Sequence, residues 1–503
     1  MIIMQRDLVT GFHKRPGFLP TTIMASLLLA GCAVGPDYVR QAPTTVSTLG
    51  SFPPHLPTDR ADVPVQQLQS GKAPDANWWS TFQSPAINHA VNLGLQNSPT
   101  LAREQATLEQ TQYELKAGEG VFFPAINLGA SAVRERESPL RLGVSNGQSS
   151  LFNLFTASGS VSYVFDIFGG ERRAVEALHA EVDEQEAELA ASRLTLCSNI
   201  VNTSLTAASY KTQADLLEQI IRLQQESATT LQAQVNAGTA TPESLLGLQV
   251  LIANNQALLP ALREKQNAAF HLLVTLTGST PQESTELALP EIDKVALPRD
   301  LPLSLPSSLV KQRPDIVAAE ATLHAANAEV GVNTANLYPG ITLTGSYGVN
   351  NTELNRLGSP QSRFWSFGPS INVPIFSGGS LWYQRKASQA AYRAVLASYR
   401  QTVLTAFQQV ADVLDALSED AEAAGSYQQA YDAAREQDAL AHANFNAGLI
   451  PYNTLLSMDQ QQLSAQSNLL QVNAARLEDT VALYVALGGG WQDSHASTAG
   501  AQP

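Results

Sequence analysis

Several residue types that mark whole classes of protein are scarce in this sequence. Among its 503 residues there are only two cysteines, Cys32 and Cys197, too few for a disulfide framework. Neither lies in a Cys-x-x-Cys or Cys/His spacing, which argues against structural zinc and against a redox dithiol. Charged residues make up only 15%, and the net charge of −15 leaves no basic face for nucleic acid.

Catalytic motifs are also missing. The sequence contains no GxSxG, no GxGxxG after a strand, no HExxH and no P-loop. Its 8 histidines are scattered with no pair at ligand spacing. A lone His179 or His324 in an alanine-rich stretch is more typical of a helix surface than of a catalytic base. We therefore predict no catalytic residue, no metal site, no cofactor and no enzymatic activity.

No long hydrophobic run is present either. Hydrophobic residues make up 44% of the chain, which is enough for a substantial core. The longest nearly unbroken apolar stretch, from Ile23 to Gly35, is shorter than the roughly 20 residues that a membrane-spanning helix needs. If the chain crosses a membrane, we expect β-strands to do so, because only helices and closed barrels satisfy the backbone in lipid.

The N-terminus has the pattern of an export signal. Three basic residues, Arg6, Lys14 and Arg15, precede an uncharged stretch that ends in small residues just before Cys32. This arrangement resembles a bacterial lipoprotein signal, in which the cysteine thiol is the acylation site. An ordinary signal peptide with a chance cysteine is the alternative.

The resemblance implies that residues 1–31 are removed and that Cys32 carries N-palmitoyl and S-diacylglycerol groups. Ala33 follows the cysteine in place of the aspartate that often retains lipoproteins in the inner membrane, which implies outer-membrane sorting. The segment 32–75 is rich in proline, which fixes φ and removes backbone donors, so we predict an extended tether there.

The rest of the sequence is an internal repeat. Asn236-Ala237-Gly238 in the first half matches Asn446-Ala447-Gly448 in the second, and Pro124 with Ile126 matches Pro339 with Ile341. Any single pair could arise by chance, but the ordered set indicates a duplicated unit of helix, β-hairpin, long helix and return helix. The predicted segments are a first repeat at 76–278, a Pro-rich linker at 279–313, a second repeat at 314–487 and a C-terminal tail at 488–503.

Alternating residues predict a β-hairpin in each half, at 122–168 and at 339–376. Apolar or small residues alternate with polar ones, as in Phe155 to Phe165. Strands of about 10 residues with one apolar face suit an outer-membrane barrel, and a soluble sandwich with one wet face is the alternative. Four strands are fewer than the about eight that a barrel needs, so several chains must combine their strands or the sheet packs on something else.

The predicted helices are much longer than those of a globular core. The stretch 171–235 has neither proline nor glycine, and 380–446 has no proline. About 65 residues make a rod of roughly 100 Å. Each rod ends at an Asn-Ala-Gly turn with a proline beyond it, which predicts return helices at 242–278 and 452–487. A filamentous coiled coil is the alternative if the strands are ignored.

In these features the chain resembles the TolC-type outer-membrane efflux factors, and in particular their lipidated, NodT-like branch. The resemblance covers nearly the whole sequence. Its marks are the segment Cys32 to Tyr38 after the signal, Trp78 to Phe82, the paired Asn-Ala-Gly tips, and Val481 to Trp491.

The resemblance implies a fold that is mainly α with β. Four β-strands per chain would contribute to a trimeric, twelve-stranded outer-membrane β-barrel, continued by a long coiled-coil α-helical barrel. It implies the exit duct of a tripartite efflux pump in a Gram-negative cell, with the helical part in the periplasm, conducting small molecules such as drugs. The implied partners are two further copies in a homotrimer, a periplasmic adaptor protein, an inner-membrane RND-type pump and the outer membrane. Type I protein secretion, metal efflux and a structural coiled-coil lipoprotein are the alternatives.

The resemblance also implies two kinds of site residue. Tunnels of this family are closed by charged rings near the tip of the second rod, where Asp438, Arg435 and Asp432 lie on roughly one helix face. Three copies of Asp438 would place like charges at a constriction and select cations. A solvated helix face is the alternative for each of the three.

The helix-hairpin tips are the candidates for adaptor docking. Exposed leucine and isoleucine at a tip would otherwise be unused apolar surface, although local packing is the alternative for Leu449. The candidate residues are Gly238, Thr239, Gly448, Leu449 and Ile450.

We expect the substitution Cys32→Ser to abolish incorporation of labelled palmitate, because serine lacks the thiol that is acylated. Metabolic labelling of cells that produce the protein checks this. The substitution Cys197→Ala, at the other cysteine, is the control and should leave labelling unchanged. Full labelling of the Cys32→Ser protein would contradict the lipid assignment.

Overall fold

The computed structural model describes residues 33–40, 66–138, 149–282, 287–303 and 310–490. The predicted signal at 1–31 and the lipidation candidate Cys32 lie outside these residues. So does most of the predicted tail at 488–503.

Long helices dominate the described chain. The helices are α1 (Pro85–Asn97), α2 (Pro99–Glu119), α3 (Gly170–Asn236), α4 (Pro242–Leu276), α5 (Pro314–Ala335), α6 (Ser380–Asn446) and α7 (Tyr452–Ala486). The strands are β1 (Gln67–Ser70), β2 (Ala125–Glu137), β3 (Ser150–Phe165), β4 (Asp300–Leu303), β5 (Gly340–Asn351) and β6 (Arg363–Asn372). The rods α3 and α6 occupy the stretches where the sequence predicts helices over 171–235 and 380–446.

The chain divides into two compact units. The first contains Leu115–Leu178, Ala325–Tyr392 and the described residues up to Tyr38. The second contains the other described residues. Both repeats of the sequence contribute to each unit.

The first unit holds an antiparallel sheet in the order β2-β3-β5-β6. Each predicted hairpin is formed, and β3 of the first half pairs with β5 of the second. One row of facing residues runs across all four strands: Leu128, Gly159, Tyr347 and Trp365. Because side chains alternate along a strand, this register fixes which residues share a face. Strands β2 and β6 are the two edges of the sheet.

The second unit is built on a helical core. Trp78, Trp79 and Phe82 are buried in it among apolar side chains of α1, α3, α4 and α7. The Trp78 ring stacks on Tyr484 with ring centroids 5.3 Å apart, so the two sequence marks near 78–82 and 481–491 meet in space. Cys197 is packed in the same core, and burial raises the pKa of its thiol to about 12.

The ends of the helices follow from local sequence. Helix α1 begins at Pro85, and the Ser84 hydroxyl accepts the backbone N–H of Ile87 at 3.4 Å. Helix α4 repeats this pattern with Thr241 and Pro242. Pro can occupy the first helical turn because its missing N–H would have no partner there.

Parts of the predicted tether at 32–75 pair with other segments of the chain. Residues Gln67–Ser70 form β1, which pairs in parallel with β4 in the linker between the repeats. The side chain of Gln66 is buried and donates to the Thr480 hydroxyl at 3.0 Å. Because Gln66 and Thr480 are far apart in the sequence, no local sequence pattern predicts this hydrogen bond.

Helix α4 is apolar enough, by length and composition, to cross a membrane. One window in it has a mean hydropathy of 1.4, and 17% of that window is buried. Polar residues such as Asn254, Asn255 and Gln256 interrupt it, so α4 contains no long unbroken apolar run. A helix that packs on a neighbouring chain has the same composition.

We expect Gly278→Ala to destabilise the second unit. Gly278 has φ +73, and a Cβ there would lie 2.3 Å from the Asn97 carbonyl oxygen. An L-residue in this conformation costs about 1–2 kcal/mol before the clash is counted. The matched control is Gly247→Ala in α4, where nothing lies within 4 Å of the new Cβ. It should be neutral or stabilise the helix by up to about 1 kcal/mol.

Thermal unfolding of the purified protein checks this pair. Equal melting temperatures for Gly278→Ala and wild type would contradict the assigned backbone conformation.

Candidate functional site: a two-faced sheet and the helix-hairpin tips

One face of the four-stranded sheet is apolar and exposed. Leu128 is 90% exposed and Trp365 is 75% exposed, and both lie in the row already described. The next row on this face contains Ile126, Val161 and Phe367. Contiguous exposed apolar surface of this kind marks a contact with lipid or with another protein. A soluble sandwich would cover such a face.

The opposite face is polar. The row one residue before Leu128 in β2 contains Asn127, Ser160, Ser346 and Ser366. The hydroxyls of Ser346 and Ser366 lie 2.7 Å apart across β5 and β6. The two faces of the sheet therefore suit two different surroundings, one apolar and one aqueous.

The strands are long enough to cross a bilayer. They contain 13, 16, 12 and 10 residues in chain order, and a tilted transmembrane strand needs about 9–11. A polar inner face and an apolar outer face with this strand length match an outer-membrane barrel wall.

The residues directly after Cys32 are anchored beside the end of β3. The backbone N–H of Val34 donates to the Phe168 carbonyl at 2.9 Å, and the Asn327 amide donates to the Pro36 carbonyl at 3.0 Å. Asp37 forms an ion pair with Arg173 in the first turn of α3. These contacts fix Val34, Pro36 and Asp37 against the first unit.

The tip after α3 contains the docking candidates Gly238 and Thr239. Gly238 has φ +74, and its N–H donates to the Val235 carbonyl while the N–H of Thr239 donates to that of Gln234 at 2.9 Å. This pair of bonds is a Schellman cap, which explains why a glycine stands at the turn. A Cβ at Gly238 would meet nothing within 4 Å, so the tip surface is open.

The tip after α6 has the same cap. Gly448 has φ +76, and the N–H of Leu449 donates to the Asn444 carbonyl at 2.9 Å. Leu449 is 73% exposed. Ile450 instead packs against the apolar cluster formed by α3, α4 and α7 near the tips. The two apolar candidates therefore have different surroundings, and Leu449 is the one available to a partner.

The three aperture candidates on α6 have different partners. Asp432 accepts a hydrogen bond from the Gln428 amide at 3.1 Å, and the exposed Arg435 guanidinium lies over the Tyr431 ring, 6.0 Å from its centroid. The Asp438 side chain is only 14% exposed. Their role in closing an aperture stays a prediction.

Asp438 lies beside two ionisable residues that the sequence analysis did not single out. The His442 Nε2 atom is 3.8 Å from Asp438 Oδ2 and 3.1 Å from Asp459 Oδ1. Burial, reinforced by the neighbouring Asp438 carboxylate, raises the pKa of Asp459 to about 6. The spacing of Asp438 and His442 on one helix face was visible in the sequence, but the contribution of Asp459 from α7 was not.

The comparisons with known proteins agree with this geometry. The chain matches the family described as "Outer membrane efflux protein" over residues 90–279 and 305–489. It is 28% identical over 466 residues to the "Pyoverdine export outer membrane protein OpmQ" of Pseudomonas putida, covering 91% of this chain and 98% of that protein. It is 27% identical over 467 residues to "Nodulation protein T" of Rhizobium leguminosarum bv. viciae, covering 92% of each.

A solved structure shows the same fold. The outer-membrane channel OprN superposes with a TM-score of 0.81 at 28% identity, covering 92% of this chain and all of that one. The predicted TolC-type resemblance and its α-with-β channel fold are thereby confirmed, and so is an outer-membrane location with a periplasmic helical part. Because the family match takes in both repeats and most of the sequence, this chain belongs to the outer membrane efflux protein family.

Proposed function

We propose that this chain is the outer-membrane exit duct of a tripartite efflux pump and that it works as a homotrimer. The observation that carries the proposal is a four-stranded sheet with an exposed apolar face, a polar opposite face and two open edges. Four strands cannot close a barrel by themselves. Three copies would pool their strands into a twelve-stranded barrel with the apolar face toward lipid and the polar face toward water.

The exposed helix surfaces support assembly of several copies. Helix α4 leaves Leu246, Val250, Leu258 and Leu272 more than half exposed in one chain. Apolar residues in such number on one helix favour packing against another protein. In a trimer, neighbouring chains would cover them.

A lipid anchor at Cys32 fits the position of the residues after it. We infer that N-palmitoyl and S-diacylglycerol groups are attached there. Val34, Pro36 and Asp37 are bonded to the part of the first unit where β3 runs into α3. The acyl chains would then enter the membrane beside the end of the sheet from which the helices depart.

The tips are the proposed contact with a periplasmic adaptor, which in turn would connect the duct to an inner-membrane RND-type pump. Leu449 supports this role because it is exposed at a rigidly capped turn. The polar sheet face offers a water-filled path for small molecules such as drugs. A structural coiled-coil lipoprotein would not need a sheet with one apolar and one polar face.

We expect Leu128→Lys to lower the amount of assembled protein in the outer membrane. A lysine on the lipid face of a barrel costs about 2–4 kcal/mol at the bilayer midplane. The matched control is Asn127→Lys, the adjacent residue on the polar face, which should assemble and alter ion selectivity instead. Detergent-resistant trimers in outer-membrane fractions and currents in planar bilayers measure the two effects. Equal tolerance of both lysines, or purification of wild type as monomers that pass no ions, would overturn the proposal.

We expect Asp438→Ala to raise single-channel conductance in planar bilayers if Asp438 lines the aperture. Alanine is smaller than aspartate, so replacing a ring of three carboxylates widens the opening, and the selection of cations by the ring is lost. Asp215→Ala is the control, since Asp215 is an exposed residue on α3 that pairs with Lys211. An unchanged current for Asp438→Ala would contradict its place at the aperture.

A further inference from the structure

Three potential metal ligands meet between the two arms of the second hairpin. Asp438 and His442 lie one turn apart on α6, and Asp459 comes from α7. Their ligand atoms all lie within 4.8 Å of one another. The capped turn at Gly448 brings them together, because Asp459 follows the tip at about the same distance along the chain as Asp438 precedes it.

The two distances from His442 to the carboxylates are close to those around a bound ion. A tetrahedral site with bonds of about 2.0–2.2 Å places its ligand atoms roughly 3.3–3.6 Å apart. The His442 Nε2 atom lies 3.1 Å from Asp459 Oδ1 and 3.8 Å from Asp438 Oδ2. Movements of a few tenths of an ångström would bring both distances into that range.

The surroundings leave polar groups to be satisfied. The Oδ1 atom of Asp438 is buried and has no hydrogen-bond partner. It borders a cavity of about 440 Å³, which is also lined by Gln224. The Gln224 side chain is only 2% exposed, and its Nε2 atom has no hydrogen-bond partner either. An unpaired acceptor and an unpaired donor at one cavity favour an occupant that is polar and hydrated.

The charge of the cluster favours a cation. Two carboxylates face one imidazole, so the group is negative whenever both carboxylates are ionised. The exposed edge of His442, whose side chain is 53% exposed, gives an ion access from solvent.

We propose that Asp438, His442 and Asp459 bind a divalent transition-metal ion, with Zn²⁺ as the best fit, and that water completes its coordination. One imidazole and two carboxylates at this spacing suit Zn²⁺, whereas Ca²⁺ needs six to eight oxygens and Mg²⁺ retains most of its water. The bound ion joins α6 to α7 and so stiffens the hairpin behind its tip. All three ligands belong to one chain, so the site needs no residue from a neighbouring copy.

The test uses the full-length protein in detergent, without a histidine tag and stripped with a chelator that is then removed. Titration calorimetry with Zn²⁺ alone should show one saturable site per chain. Mg²⁺ and Ca²⁺ should show none. Absence of saturable Zn²⁺ binding to wild type would overturn the proposal.

Substitutions identify the ligands. His442→Gln and Asp459→Asn should each weaken Zn²⁺ binding at least about 10-fold, since even outer-shell partners contribute that much. His271→Gln, at an exposed histidine of α4, is the matched control and should bind as wild type does. In chelator, wild type, the two ligand variants and the His271→Gln control should have the same melting temperature. Zn²⁺ should raise the melting temperature of wild type and of His271→Gln only. Unweakened binding by both ligand variants would place the ion elsewhere and overturn the assignment.

Discussion

The structure depends on the rule that backbone polar groups in lipid must be paired. Each unpaired N–H or C=O group in a bilayer core costs several kcal/mol, so an open sheet edge is excluded there. Strands β2 and β6 are open edges in one chain, and the exposed Leu128 and Trp365 give the sheet a face suited to lipid. In the trimer proposed above, strands of further copies would pair with those edges and complete the sheet. Folding of the membrane-spanning sheet would then depend on assembly of the trimer.

The long helices and the strands could be predicted because their signals are local. Alternation from Phe155 to Phe165 fixes a strand and its two faces, and a stretch without proline or glycine fixes a rod. The Asn-Ala-Gly turns ending at Gly238 and Gly448 predict Schellman caps, because only glycine adopts the required positive φ at little cost. Alternation alone does not distinguish a barrel wall from a soluble sandwich. The exposure of the apolar sheet face, which only the structure shows, distinguishes the two.

Contacts between distant segments could not be predicted from one sequence. Asp459 meets Asp438 and His442 because of the relative offset of two helices, which depends on how their side chains interlock rather than on either pattern. The stack of Trp78 on Tyr484 has the same origin. Proline content predicts an extended tether at 32–75, and the pairing of Asp37 with Arg173 has no signal in the local sequence. The candidate aperture residues likewise differ in their neighbours although they share a helix face.

The bond between Val34 and Phe168 has a consequence for biogenesis. With the proposed lipid at Cys32, each copy of the chain would be confined to the membrane surface while it diffuses toward the other copies of the proposed trimer. Confinement of this kind raises effective concentration without any new interface. Because Val34 is bonded to Phe168 just after β3, the proposed anchor would give every copy the same orientation, and pairing of the sheet edges would need only lateral diffusion and rotation.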